Sequence, residues 1–184
     1  MGIVQDSLEH SLQKAFTRPI PKSAGAQMRY LVKQLKGTRA VAELLGVSQR
    51  TVERYVKDQI RRPRADLAQR LADAVRARWQ PRIREQARRQ AATRTGLMID
   101  TRARFGFTAA PGTTDDARLR HLTLALPPEH AARLFDAQQA GASEQQLRSI
   151  TAEALGEVYF RDSGRRAHGL EVELTDVEQL DFEL

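Results

Sequence analysis

The side chains with the most chemistry to offer cluster in one short stretch, Ser48-Gln49-Arg50-Thr51-Val52-Glu53-Arg54. A serine before a helix accepts from backbone N–H groups that have no partner inside it, so Ser48 reads as a cap. On the helix that follows, Val52 and Tyr55 share one face, which leaves Ser48, Gln49, Arg50, Glu53 and Arg54 on the other. Arginine bonds guanine at O6 and N7 with two hydrogens, and glutamine does the same for adenine at N6 and N7. Glu53 is suited to accept from a cytosine amine or to orient Arg54. Lys57 and then Arg61, Arg62 and Arg64 around Pro63 follow, cations placed to hold a phosphate backbone beside such a helix. A second candidate is Gly112-Thr113-Thr114-Asp115-Asp116, hydroxyls next to carboxylates. Paired acids can hold magnesium, although this composition equally makes an ordinary turn. His10, His121, His130 and His168 are dispersed, and no phosphate-binding glycine loop or zinc-type spacing occurs.

The helix carrying Arg50 needs a partner to hold it. Residues 38–57 supply one, and they resemble the helix-turn-helix family throughout. Ala42 is small where two helices cross, and Gly46 can take the positive φ that ends the first of them. Val41, Leu45, Val47, Val52 and Tyr55 face a common core. Such folds lay the second helix in the major groove of DNA.

The flanks extend this unit. Ser23 caps a helix with Ala24, Met28, Leu31 and Leu35 on one face. Asp66 caps another, with Leu67, Leu71, Ala74, Val75 and Trp79, which Pro81 interrupts. Residues 82–94 are helical but polar nearly all round, and residues 61–94 hold eleven arginines without a lysine. Residues 1–22 are polar and end in Arg18-Pro19-Ile20-Pro21, which reads as a loosely fixed arm.

Beyond Gly96 the period changes from 3.6 to 2. Leu97, Ile99, Ala103, Phe105 and Phe107 alternate with polar residues, as do Leu122, Leu124 and Leu126, predicting a hairpin over 97–126 with residues 109–116 at its tip. A helix follows Pro127-Pro128 to about Ala140, and Ser143 with Gln146 predicts a capping box for the next. Leu170, Val172 and Leu174, then Leu180, Phe182 and Leu184, alternate with acids in two final strands. The expected fold is therefore α plus α+β. It comprises a flexible arm (1–22), a helix-turn-helix domain with an arginine-rich helical extension (23–95) and a ββααββ domain (96–184).

Charge is segregated along the chain. Residues 1–109 hold 23 Lys/Arg and 9 Asp/Glu, while residues 110–184 hold 7 and 14. A net of +14 against −7 suits one part for a polyanion and the other for something else. The chain has no cysteine, which excludes a disulfide scaffold, a thiolate metal site and a cysteine nucleophile. No apolar run approaches the roughly 18 residues of a membrane span, and the N-terminus lacks a signal-peptide layout. The expected location is cytoplasmic, with no membrane partner.

From MGIVQDSLEHSLQKAF through the run IRRPRADLAQRLADAVRARW, the segment GTTDD and the acidic end LEVELTDVEQLDFEL, the chain resembles the telomere terminal proteins of streptomycete linear chromosomes and plasmids. That resemblance implies a protein primer rather than an enzyme. A threonine hydroxyl accepts a deoxynucleotide from a DNA polymerase, becomes covalently linked to the 5′ end of telomeric DNA and primes end-patching synthesis. The family's linking threonine falls on Thr114, with Thr113 the competitor that residue chemistry alone does not exclude. Asp115 and Asp116 are candidates to orient that hydroxyl or contact a metal. The resemblance implies no resident cofactor, since Mg2+ and the deoxynucleotide are supplied at the polymerase. Its partners are telomeric DNA, a telomere-associated protein and the polymerase, at nucleoid DNA ends; self-association is open. Residue chemistry by itself stops at a helix-turn-helix transcriptional regulator with an effector-binding or dimerising C-terminal domain. A non-covalent architectural or segregation protein is a third reading.

Overall fold

A computed structural model of the chain describes residues 2–108, 118–160 and 171–184. The element order is α1 (Ile3–Lys14), α2 (Ala24–Leu35), α3 (Thr38–Leu45), α4 (Gln49–Val56), α5 (Ala65–Arg78), α6 (Pro81–Gln90), β1 (Leu97–Thr108), β2 (Arg118–Leu126), α7 (Pro128–Gln139), α8 (Glu144–Leu155) and β3 (Glu171–Glu183). Short π-helical turns follow α6 and α8. The α plus α+β class holds. Two compact units form, a helical unit over Thr17–Pro81 and a sheet unit built from Met1–Phe16 together with Arg82–Leu184. The helical unit is thus an insertion within the sheet unit.

This division corrects the expected boundaries. Residues 3–14 are not part of an arm but a helix of the sheet unit, with Val4, Leu8 and Leu12 fully buried in its core. Their i, i+4 spacing gives one apolar stripe, which the polar composition around it masks. Glu144 at the start of α8 accepts from the backbone N–H groups of Val4 (2.9 Å) and Gln5 (3.2 Å), capping α1 from a distant part of the chain. Residues 82–95 likewise join the sheet unit rather than extending the helix-turn-helix domain. Arg84 is the reason on α6: it is buried and bonds both oxygens of Glu9 on α1, at 2.5 and 2.6 Å.

The sheet order is β2-β1-β3, all antiparallel. Ile99, Thr101, Ala103 and Phe105 of β1 turn inward, with Leu122 and Leu126 of β2 and Leu174, Leu180 and Phe182 of β3. Leu134, Phe135, Leu147 and Leu155 of α7 and α8 complete this core. The two expected final strands are one. Asp176, Val177 and Glu178 together face the single Ala103 in a bulge, where Asp176 takes a φ of 46°, so the break in alternation bends the strand without ending it. From Leu97 onward the described order is therefore ββααβ. Ser143 and Gln146 do form the expected capping box.

In the helical unit Met28, Leu31, Val41, Leu45, Val52 and Leu71 make the core. Ser23 caps α2, as its position predicts. Asp66 does not cap α5; the helix starts at Ala65 after Arg64, and Asp66 sits in its first turn, where a carboxylate suits the dipole. The ends of the unit are pinned to each other. Thr17 N–H donates to Gln80 Oε1 at 3.0 Å, and Trp79 Nε1 to the Arg18 carbonyl at 3.1 Å. Tyr30 packs on Trp79 with ring centroids 4.6 Å apart.

Candidate nucleic-acid interface

Helix α3 ends because Gly46 turns left-handed, with φ 62° and ψ 39°. Val47 N–H then returns to the Ala42 carbonyl at 3.0 Å, which fixes the corner between α3 and α4. Val41, Ala42, Leu45, Val52 and Tyr55 are buried as their spacing predicts, and Val47 is half-buried. Burial raises the Tyr55 phenol above its usual value, so this side chain stays neutral and belongs to packing.

Ser48 caps α4. Its hydroxyl accepts from Thr51 N–H at 3.2 Å and lies 2.8 Å from the Thr51 hydroxyl. Ser48, Gln49, Arg50, Arg54 and Lys57 are exposed, and Glu53 is half-buried. Glu53 orients Gln49 rather than Arg54. Gln49 Nε2 donates to Glu53 Oε1 and to Thr38 Oγ1, each at 3.0 Å. The amide is thus aligned across the two helices before any DNA arrives.

Arg61, Arg62 and Arg64 are exposed on the connection between α4 and α5, next along the chain to Lys57. Among the described residues Arg50, Arg54, Lys57, Arg61, Arg62 and Arg64 make no ion pair. Four of the six arginines elsewhere in this unit differ. Arg29 pairs with Asp58, Arg39 with Glu43, Arg70 with Asp66 and Arg76 with Asp73. Uncompensated arginine is therefore concentrated on α4 and the segment after it.

Residues that sequence reasoning missed hold α4 in place. Arg29 of α2 donates to the Val56 carbonyl at 2.9 Å and to Asp58 at 2.8 Å, closing the C-terminal end of α4. Gly25 permits this approach. A Cβ there would stand 2.2 Å from Asp58 Oδ1 and 3.1 Å from the Tyr55 carbonyl. The only sequence signal was a glycine inside a helix.

Thr113, Thr114, Asp115 and Asp116 lie outside the described residues. The described histidines form no ligand set with acids, and no group able to hold a metal ion occurs among the described residues. His121 Nε2 lies 2.9 Å from Asp100, and the exposed Thr123 hydroxyl donates to the same carboxylate at 2.5 Å. These bonds, Thr123 first, hold the Asp100 carboxyl below its usual range. His130 is buried, with Glu157 at 3.4 Å. No described helix is long and apolar enough to cross a membrane.

No curated protein and no solved structure matches the chain. A family profile does: helix-turn-helix, over residues 28–76, which spans α2 to most of α5. Residues 28–76 match a helix-turn-helix domain, which indicates DNA binding, and α4 is the second helix of that motif.

Proposed function

We propose that the protein recognises a particular DNA sequence through α4. Arg50 and Arg54 read guanine edges, Gln49 reads adenine, and Lys57, Arg61, Arg62 and Arg64 hold the phosphate backbone. The observation that carries this reading is the distribution of ion pairs. In the helical unit Arg29, Arg39, Arg70 and Arg76, away from α4, each pair with a neighbouring acid, whereas the five arginines on α4 and just after it face solvent without one. Selection of duplexes from a random pool tests it. An enriched motif, bound far more tightly than random DNA and protected in a footprint, is expected; an unenriched pool would reduce the domain to non-specific binding.

The purpose of that binding has two readings. The helix-turn-helix match favours a transcriptional regulator in which the sheet unit dimerises or takes an effector. The second reading is the telomere terminal protein, supported by the resemblance along the whole chain. In it Thr114 attacks the α-phosphorus of a deoxynucleoside triphosphate, pyrophosphate leaves, and a polymerase extends the linked nucleotide. The polymerase's magnesium ions stabilise the leaving group, so the primer needs no metal site of its own. A telomere-associated protein and the polymerase are then the partners, and DNA ends in the nucleoid the location. DNA isolated without protease and then denatured separates the two readings. A terminal protein stays attached through denaturant, and a regulator is released. Thr114→Ala should abolish labelling by a deoxynucleotide, and Thr113→Ala should keep most of it.

A further inference from the structure

The two edges of the sheet are treated differently. Edge strands expose unpaired backbone groups, and monomeric proteins blunt or cover them. The β3 edge is managed in three ways. The Asp176–Glu178 bulge interrupts it, α1 and α8 pack against the strand, and the Ser7 hydroxyl accepts from Phe182 N–H at 2.7 Å. Among the described residues, none of these devices is present at β2. Its nine residues run in unbroken register with β1 from Leu126 to Arg118, without proline, glycine or acid. Within the sheet unit, β1 is the only described element it packs on extensively. Such a strand offers about 30 Å of regular edge that no other described strand pairs with.

We infer that β2 pairs antiparallel with β2 of a second copy of this chain, about a two-fold axis at Leu122. Charge selects this occupant and this direction. A parallel pairing would set Arg118 and Arg120 beside their own counterparts. The antiparallel one sets position 118 opposite 126 and Arg120 opposite Leu124 of the other copy, so like residues no longer face each other. Pairing β3 with β3 would bring six acids against six. The same register resolves two exposed apolar side chains. Leu119 is 39% and Met98 41% exposed on the open face of the sheet, and Ala125 beside Met98 is exposed too. The two-fold places Leu119 of one copy opposite Ala125 of the other, next to its Met98, giving one apolar patch at each end of the seam. His121 faces Thr123 across the axis. The product is a continuous six-stranded sheet with an isologous interface. Its consequence rests on the DNA-binding reading above: two α4 helices related by a two-fold would favour a DNA site with two-fold symmetry.

The test is sedimentation of the full chain without DNA at micromolar concentration. Wild type should show twice the 20.7 kDa chain mass. Leu119→Glu with Ala125→Glu sets like charges opposite each other twice and should yield monomer, with dissociation at least tenfold easier. Leu119→Lys with Ala125→Lys should do the same. An equimolar mixture of the two should regain the dimer, because every facing pair is then of opposite sign. Both positions are exposed, so the circular dichroism spectrum of the folded chain should be unchanged, with melting lowered only by the lost association. A monomeric wild type overturns the inference, as does a dimer indifferent to either variant or a mixture that stays monomeric. Monomer that still selects one DNA sequence would overturn the inference and leave the DNA-binding reading intact.

Discussion

The helical unit carries fifteen Lys/Arg against five Asp/Glu, a net of +10, while the sheet unit carries fifteen against eighteen. The structural boundary thus leaves the excess positive charge in the helical unit, with the sheet unit at a net of −3. The units also differ in how the chain builds them. The helical unit is one continuous stretch, and its ends meet at Thr17, Arg18, Trp79 and Gln80. The sheet unit closes only when residues from both sides of that insertion come together, as Glu9 and Arg84 do. A domain whose contacts are local can be carried as a cassette; one whose contacts span the cassette cannot be cut in sequence order.

The largest expected effect follows from this. A fragment of residues 17–81 should fold and bind DNA, with affinity falling as a power of salt concentration. A fragment of residues 96–184 should not fold, because it lacks Val4, Leu8, Leu12 and Ala91 from its core. Amide spectra of both fragments check this, and a well-folded 96–184 would erase the distinction. Next comes Glu9→Ala, which strips the partner from a buried guanidinium. A loss of about 3 kcal/mol is expected in the melting of the sheet unit alone, while DNA binding by the helical unit persists. Gly25→Ala should act in the opposite unit. Its methyl must displace Asp58 and press on the Tyr55 carbonyl, at a cost of about 1–3 kcal/mol to the helical unit. The smallest effect is in the sheet unit. Thr123→Val removes the hydrogen bond that most lowers Asp100, so that carboxyl should rise toward 3.8 in an NMR titration. Because its folded value is depressed, the bond's contribution is present above the ordinary value and fades as pH falls through the folded one. An unmoved Asp100 would transfer the cause to His121.

Local chemistry was legible in the residues, and long-range chemistry was not. Gly46, Ser48, Ser23 and the Ser143–Gln146 pair act within a few positions of themselves, and the structure uses each as its type suggests. The assignment of α1 and α6 depended on Glu144 reaching Val4 and on Glu9 reaching Arg84, contacts more than seventy residues apart. The stripe Val4, Leu8, Leu12 was masked by the polar residues around it, and nothing nearby said what it packs on. At the interface, the outward set on α4 could be read from periodicity. That Thr38 and Glu53 align Gln49 could not, since it depends on the angle between two helices. Asp176 shows the converse, a local break in pattern absorbed by the sheet.

The central claim is that α4 reads bases while the neighbouring cations hold phosphate. It is tested most directly by measuring Arg50→Ala and Arg62→Ala on the selected DNA and on random duplex of equal length. Arg50→Ala should lose about 1–3 kcal/mol on the selected site and much less on random DNA, and relax the preference at one base pair. Arg62→Ala should weaken both DNAs alike and reduce the salt dependence by about one ion. Equal losses for Arg50→Ala on both DNAs would make Arg50 one more phosphate contact and contradict the assignment of α4 as the helix that reads sequence.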